Sequence, residues 1–267
     1  MSAEPQSASE PILLRHDQGG VATLTLNRPS QFNSLSQALL GRLQDELDAI
    51  ALDASIRVVV IKGAGRAFCA GHDLKEMRSN HDKAYMQALF RQCGRVMTTL
   101  TEMPQPVIAR VHGIATAAGC QLVAMCDLAV AALDARFAVS GINVGLFCAT
   151  PAVALSRNMG RKAALEMLLT GDFIDAGEAL QRGLVNRAVA TAELDAEVSK
   201  LTASICAKSA VAVQMGKQMF YRQLEMGLAG AYQLAAETMA CNMMEADAVE
   251  GIDAFMAKRK PQWQGGR

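Results

Sequence analysis

Short strand-like runs alternating with helical stretches constrain this chain most. Val21-Ala-Thr-Leu-Thr-Leu26 alternates with period two and predicts a half-buried strand, ended by the Asn, Arg and Pro that follow. Leu39, Leu40, Leu43, Leu47 and Ile50 then recur at helical spacing, so 36–52 is a predicted helix with Ser36 as its cap. Arg57-Val-Val-Val-Ile61 reads as a short buried strand, and Gly63-Ala-Gly65 as its exit turn. A long helix is expected over 82–101, closed by Pro104 and Pro106. A strand over Val107 to Val111, a helix over Ala117 to Met125 and a strand over Leu128 to Ala132 follow. Strand, turn and helix thus alternate from about 11 to 190, an α/β pattern. Beyond Ala190 only amphipathic helical patterns remain, so the chain divides into a core at 11–190 and a helical region at 191–267.

Composition excludes several classes of function. The 26 basic and 26 acidic residues cancel, and no basic run suggests a nucleic-acid partner. No apolar run reaches membrane-spanning length. Seven cysteines without a CxxC fit reduced thiols, and four dispersed histidines show no metal spacing. No metal is therefore expected. The first ten residues are small, polar and acidic, unlike a signal peptide or a presequence. They read as a disordered lead-in, and the expected compartment is the cytoplasm of a bacterium. Lys62-Gly-Ala-Gly65 is no dinucleotide loop, because Phe68 stands where a third glycine is needed.

Two stretches carry candidate chemistry. In Cys69-Ala-Gly-His-Asp-Leu-Lys-Glu76, Asp73 and Glu76 have capping-box spacing, which predicts a helix from Leu74. On spacing alone this is an ordinary strand-to-helix turn. Its free N–H groups would also suit a developing oxyanion. The second stretch is Gly113 to Gly145, where Ala117-Ala118-Gly119 makes a small-residue turn before an apolar segment containing Gln121.

Together, GRAFCAGHDLKEM at 65–77 and the 113–145 stretch resemble the crotonase superfamily, the enoyl-CoA hydratase and isomerase group. The resemblance runs from about residue 12 to Trp263. It implies a spiral of ββα units followed by a helical region that forms trimers or pairs of trimers. It implies an acyl-CoA ligand with no separate cofactor. In that family the backbone N–H groups at the positions of His72 and Ala118 form an oxyanion hole for the thioester oxygen. The positions of Ala70, His72 and Leu74 line the acyl-CoA groove, with Asp73 and Lys75 beside them. Asn27 to Leu35 resembles a CoA-contacting turn in which many relatives carry lysine where Gln31 stands. The basic Lys258 to Lys260 matches a tail that can reach CoA phosphates, or is a solvated charge cluster.

The family's hydratases place glutamates at the positions of Gln121 and Gly141. An amide cannot shuttle a proton at neutral pH, and glycine supplies only space. General acid–base help is worth ~10²–10⁴ in rate. An enoyl-CoA hydratase-like lyase is therefore the implied class, with efficient hydration not expected. A non-catalytic acyl-CoA binder, or a regulatory subunit of a mixed oligomer, is the alternative. Asn143 and Ser140 could orient water or substrate. His72 has a suitable ordinary pKa for proton transfer, although its side chain is expected to point away from the oxygen its N–H serves. Cys148 would be nucleophilic only with a lowered pKa. Asp127 is implied to be structural.

Overall fold

The computed structural model describes residues 10–264. The lead-in expected over 1–10 falls, except for Glu10, outside the described residues. Among these, nine strands form: β1 (Leu13–Gln18), β2 (Val21–Leu26), β3 (Val58–Gly63), β4 (Val107–Val111), β5 (Ile114–Thr116), β6 (Leu128–Ala132), β7 (Arg136–Ala138), β8 (Ile174–Asp175) and β9 (Arg187–Val189). The helices of the first half are α1 (Gln37–Ala51), α2 (Leu74–Ser79), α3 (Lys83–Glu102), α4 (Ala118–Met125) and α5 (Ala149–Asn158). Those of the second half are α6 (Arg161–Thr170), α7 (Ala176–Gln181), α8 (Leu194–Cys206), α9 (Ala210–Leu224), α10 (Leu228–Met243) and α11 (Ala246–Met256).

A six-stranded sheet in the order β1-β2-β3-β4-β6-β9 is the backbone of the core. Only β1 pairs antiparallel; the rest are parallel. Strand periodicity divides the apolar residues between two faces. Val59 and Ile61 face the larger core with Leu39, Leu43 and Leu47 of α1 and Val96 of α3. Val58, Val60, Ile108 and Val130 face the other way, where Leu194 and Val198 of α8 cover them. Both faces are thus apolar, which is why β3 reads as an unbroken Val-Val-Val-Ile run.

A smaller sheet, β5-β7-β8, stands beside the first. Two isolated parallel bridges extend it: Cys69 pairs with Ala115, and Leu35 pairs with His72. The segments at 31–35, 69–73 and 114–118 therefore run side by side. The chain is a mixed α/β fold, the class that the resemblance implied.

The helices after α8 pack differently. Lys217 is the one residue of α9 that is buried, and α10 buries none of its 16 residues. The chain then folds back: Trp263 Nε1 donates to Ala207 O at 2.8 Å. No helix among the described residues is long and apolar enough to cross a membrane.

Candidate active site

The site begins with the turn after β2. Asn33 locks it: Oδ1 accepts from Arg28 N–H at 2.9 Å, and Nδ2 donates to Ala64 O and Ala67 O at 2.8 and 2.7 Å. This fixes Phe32, whose carbonyl accepts from Ala70 N–H at 3.0 Å. Gln31 lies exposed at the end of a short 3-10 turn, Pro29–Gln31. Arg28 reaches Asp73 at 2.9 Å, a contact no sequence spacing announced.

Asp73 caps α2 as expected, with Oδ1 accepting from Lys75 and Glu76 N–H at 3.1 and 3.2 Å. The capping box is only half formed. Glu76 does not return to Asp73 N–H, which donates to Leu35 O; its carboxylate accepts from Gln37 N–H at 3.1 Å instead. The bridge between Leu35 and His72 took the backbone donor that the box required. Burial alone would raise the Asp73 pKa, but Arg28 and the capping N–H groups outweigh it and hold it low. That carboxylate is fully engaged in building the turn and presents no free charge to a ligand. Leu74, by contrast, is 57% exposed, Lys75 is exposed and Ala70 is half-buried.

The second wall is the start of α4. Thr116 N–H donates to Cys69 O, and Thr116 Oγ1 to Ala70 O, both at 3.0 Å. Gly71 must be glycine here. Its φ is +91°, and a Cβ would stand 2.9 Å from the Ala117 Cβ and 3.2 Å from Ala118 N. Ala117 adopts φ 49°, ψ −119°, a conformation that L residues rarely hold. The strain therefore sits one residue before Ala118, which is not among the residues of positive φ. Among the described residues, neither His72 N–H nor Ala118 N–H donates to an acceptor. Gly119 and Cys120 N–H are likewise free, as the first turn of a helix requires.

Gln121 follows Ala118 by three positions, on the same side of α4. It is only 4% exposed, and its Oε1 has no partner among the described residues. Ala117 N–H donates to Ala138 O at 2.9 Å, so the turn hangs on the end of β7. Gly141 lies three residues further along, in a 3-10 turn over Ser140–Val144.

Gly141 corrects one expectation: it does not open space. A Cβ there would meet Leu146 O at 2.6 Å and Cys148 Sγ at 2.7 Å. The loop is drawn in by Leu146 N–H donating to Gly141 O at 2.9 Å and by Cys148 Sγ against Val139 O at 3.5 Å. Burial raises the Cys148 pKa, so this thiol is no nucleophile. Cys69 and Cys120 are pushed up to about 12 by the same cause. Asn143 is exposed, and its Nδ2 lies 3.5 Å from Gly171 O, on the α6 side of the loop.

The His72 ring stands edge-on against Phe90 of α3, centroids 5.4 Å apart. Both ring nitrogens are buried without partners, and burial lowers the pKa. The imidazole is neutral and packed under α3. In the basic tail Arg259 pairs with Glu250 at 2.6 and 2.8 Å, while Lys258 and Lys260 are exposed. Asp127 anchors a buried network at the far end of α4. Its carboxylate accepts from Lys217 Nζ at 2.7 Å, Tyr221 OH at 2.8 Å and Val107 N–H at 2.6 Å.

A parallel α/β core with a second small sheet, and with free main-chain donors where two turns abut, defines a crotonase-type protein. The family model described as enoyl-CoA hydratase/isomerase matches residues 16–266. The chain belongs to that family. It is similar to the enoyl-CoA hydratase domain-containing protein 3, mitochondrial, of Xenopus laevis, at 44% identity over 95% of this chain and 86% of the relative. A solved enoyl-CoA hydratase of Mycobacterium smegmatis superimposes with TM-score 0.94 at 59% identity, covering 95% of this chain and 99% of that one. The human domain-containing protein 3 structure gives 0.93 at 43%, covering 95% and 100%.

These relatives overturn the cytoplasmic expectation. The frog, mouse, rat and human proteins are all named mitochondrial. The expectation rested on the composition of ten residues and on reduced thiols. Neither observation distinguishes one reducing compartment from another.

Proposed function

We propose that the chain binds an acyl-CoA thioester between residues 70–75 and the start of α4, with the N–H groups of His72 and Ala118 donating to the thioester oxygen. One observation carries this reading. Two unpaired main-chain donors are brought together at real cost, through a strained Ala117 and an obligatory Gly71. Such donors stabilise the enolate that thioester chemistry passes through, each worth ~10²–10³ in rate. Ala70 and Leu74 line the acyl groove, Gln31 and Lys75 face the CoA moiety, and Asn143 lies at the far rim. Asp73 positions the donor turn.

Hydration is not the reaction these side chains favour. It needs groups that move protons at both carbons, and positions 121 and 141 offer an amide and a filled corner. A second reading, an acyl-CoA binder without turnover, is favoured by the same two positions. Calorimetry with butyryl-CoA and crotonyl-CoA, beside loss of enoyl absorbance, separates them. Binding without hydration is expected. No binding of any acyl-CoA would remove both readings.

The helical region is proposed to assemble the chain with copies of itself into a trimer or a pair of trimers. Supporting this, Leu228, Tyr232 and Phe255 are 76%, 71% and 85% exposed on helices α10 and α11. Apolar surface on this scale marks an interaction face.

A further inference from the structure

A cleft among the last helices shares no residue with the turns at 69–73 and 117–121. Ser209 at the start of α9, Asn242 near the end of α10 and Asp247 in α11 line it, together with Trp263 of the tail. Its volume is about 360 Å³, a size that small-molecule sites reach. We infer that it binds a primary ammonium compound carrying an apolar chain, with Asp247 as the counter-charge. The inference makes no use of the thioester-binding reading.

Three observations select that ligand. The first is charge. Asp247 is 6% exposed, and no other aspartate or glutamate among the described residues is buried. Its Oδ1 accepts from Gln264 N–H at 2.8 Å. Oδ2 is buried without a partner, and no lysine or arginine among the described residues pairs with the carboxylate. A buried carboxylate is costly until a cation meets it.

The second is the count of acceptors. A primary ammonium has three N–H bonds to place and accepts none. The cleft offers three oxygens. One is Asp247 Oδ2. Another is Ser209 Oγ, which accepts from Ala212 N–H at 3.2 Å and keeps a second lone pair. The third is Asn242 Oδ1, since Asn242 Nδ2 is turned to Met215 Sδ at 3.8 Å.

The third is the wall. Met243, Ile252, Phe255 and Trp263 give the cleft an apolar side. Trp263 is held there: Nε1 donates to Ala207 O at 2.8 Å, and its ring lies where a Cβ on Gly251 would stand 3.3 Å away. With its N–H used, the indole presents an apolar ring, and such a face attracts a cation. An anion would be repelled by Asp247, and an alcohol would leave the carboxylate without a counter-charge.

Trp263 is the only tryptophan of the chain, so its fluorescence reports the cleft. The test titrates the intact protein with hexylamine, butylamine, hexanol and hexanoate at neutral pH. Hexylamine should shift the emission saturably and bind at least about tenfold tighter than hexanol, the margin of a hydrogen-bonded charge. It should also bind about tenfold tighter than butylamine, because two further methylenes are buried. Hexanoate should leave the emission unchanged. Asp247→Asn keeps the shape and the acceptor for Gln264 N–H. It should cost hexylamine at least about tenfold while leaving hexanol within about twofold. Equal binding of amine and alcohol, a comparison that needs no variant, would overturn the inference. So would undiminished hexylamine binding in Asp247→Asn. Hexylamine that breaks up an assembly in sedimentation velocity would place a neighbouring copy's side chain in the cleft instead. Binding that appears only in Arg267→Ala would give the cleft to the chain's own terminus.

Discussion

Ala117 holds a backbone conformation that suits glycine, and it does so at the entrance to α4. Ala117→Gly should therefore stabilise the protein by about 1 kcal/mol, relief of Cβ strain exceeding the entropy of the added glycine. Urea unfolding followed by circular dichroism reads this. Gly141 behaves oppositely: Gly141→Ala should cost about 1–3 kcal/mol, because the added carbon meets a carbonyl and a thiol. Gly141→Glu should lower Tm further and yield no hydration of crotonyl-CoA, alone or with Gln121→Glu. A hydratase gained in that double variant would show the loop to be more pliant than its contacts imply. His72 supplies a pH signature. Its folded pKa lies below the ordinary 6.5. The unfolded chain then binds the extra proton first, so stability is fully present above about 6.5 and falls as pH drops toward the folded value. The slope in that window is at most about 1.4 kcal/mol per pH unit, the limit for one proton. His72→Phe should flatten that part of the curve in urea titrations run between about pH 5 and about pH 7. Residues 72, 118, 121 and 141 were legible in the sequence through motif resemblance. What filled the space around them was not. The approach of Cys148 to Gly141, of Phe90 to His72 and of Arg28 to Asp73 are contacts between elements, and no local pattern encodes them.

Among the elements, the strands of the large sheet's middle were the most readable. β2, β4 and β6 lie where alternation or β-branched runs predicted them, and β3 starts one residue later than expected. β1 was missed because it is an edge strand whose Arg15, His16 and Asp17 obscure the pattern. β5, β7 and β8 are two or three residues long, too short for any period to show. Yet these short strands bring 69–73 beside 114–118 and so build the site. The join between α9 and the core depends on one buried cluster. Lys217 Nζ donates to Leu100 O, Gln105 O and Asp127, so a single ammonium ties the end of α3 to the end of α4. Lys217→Ala should cost about 3–5 kcal/mol, since it leaves Asp127 buried without its counter-charge. Lys217→Met with Asp127→Asn should recover part of that loss in thermal unfolding.

At the scale of the whole molecule, the sheet and its two covering layers form a closed core, while α10 stands outside it. A helix of 16 residues with none buried is held to its own chain mainly by α9, with a smaller contact to α11. Helices of this length are marginal alone in water. If the proposed assembly uses this face, Leu228→Glu together with Tyr232→Glu should convert it to monomers in sedimentation velocity, with little change in the signal from the sheet. Unchanged sedimentation would place the contact surface elsewhere. Assembly and acyl-CoA binding are then separable: the monomeric variant should retain the turns at 69–73 and 117–121. The exposed helix also has a bearing on supply. Under the proposed assembly, a copy without companions would display 228–243 as an uncovered apolar helix open to proteases. Surplus chains would then be cleared first, and the standing amount of the protein would follow how quickly copies find one another more than how fast they are synthesised.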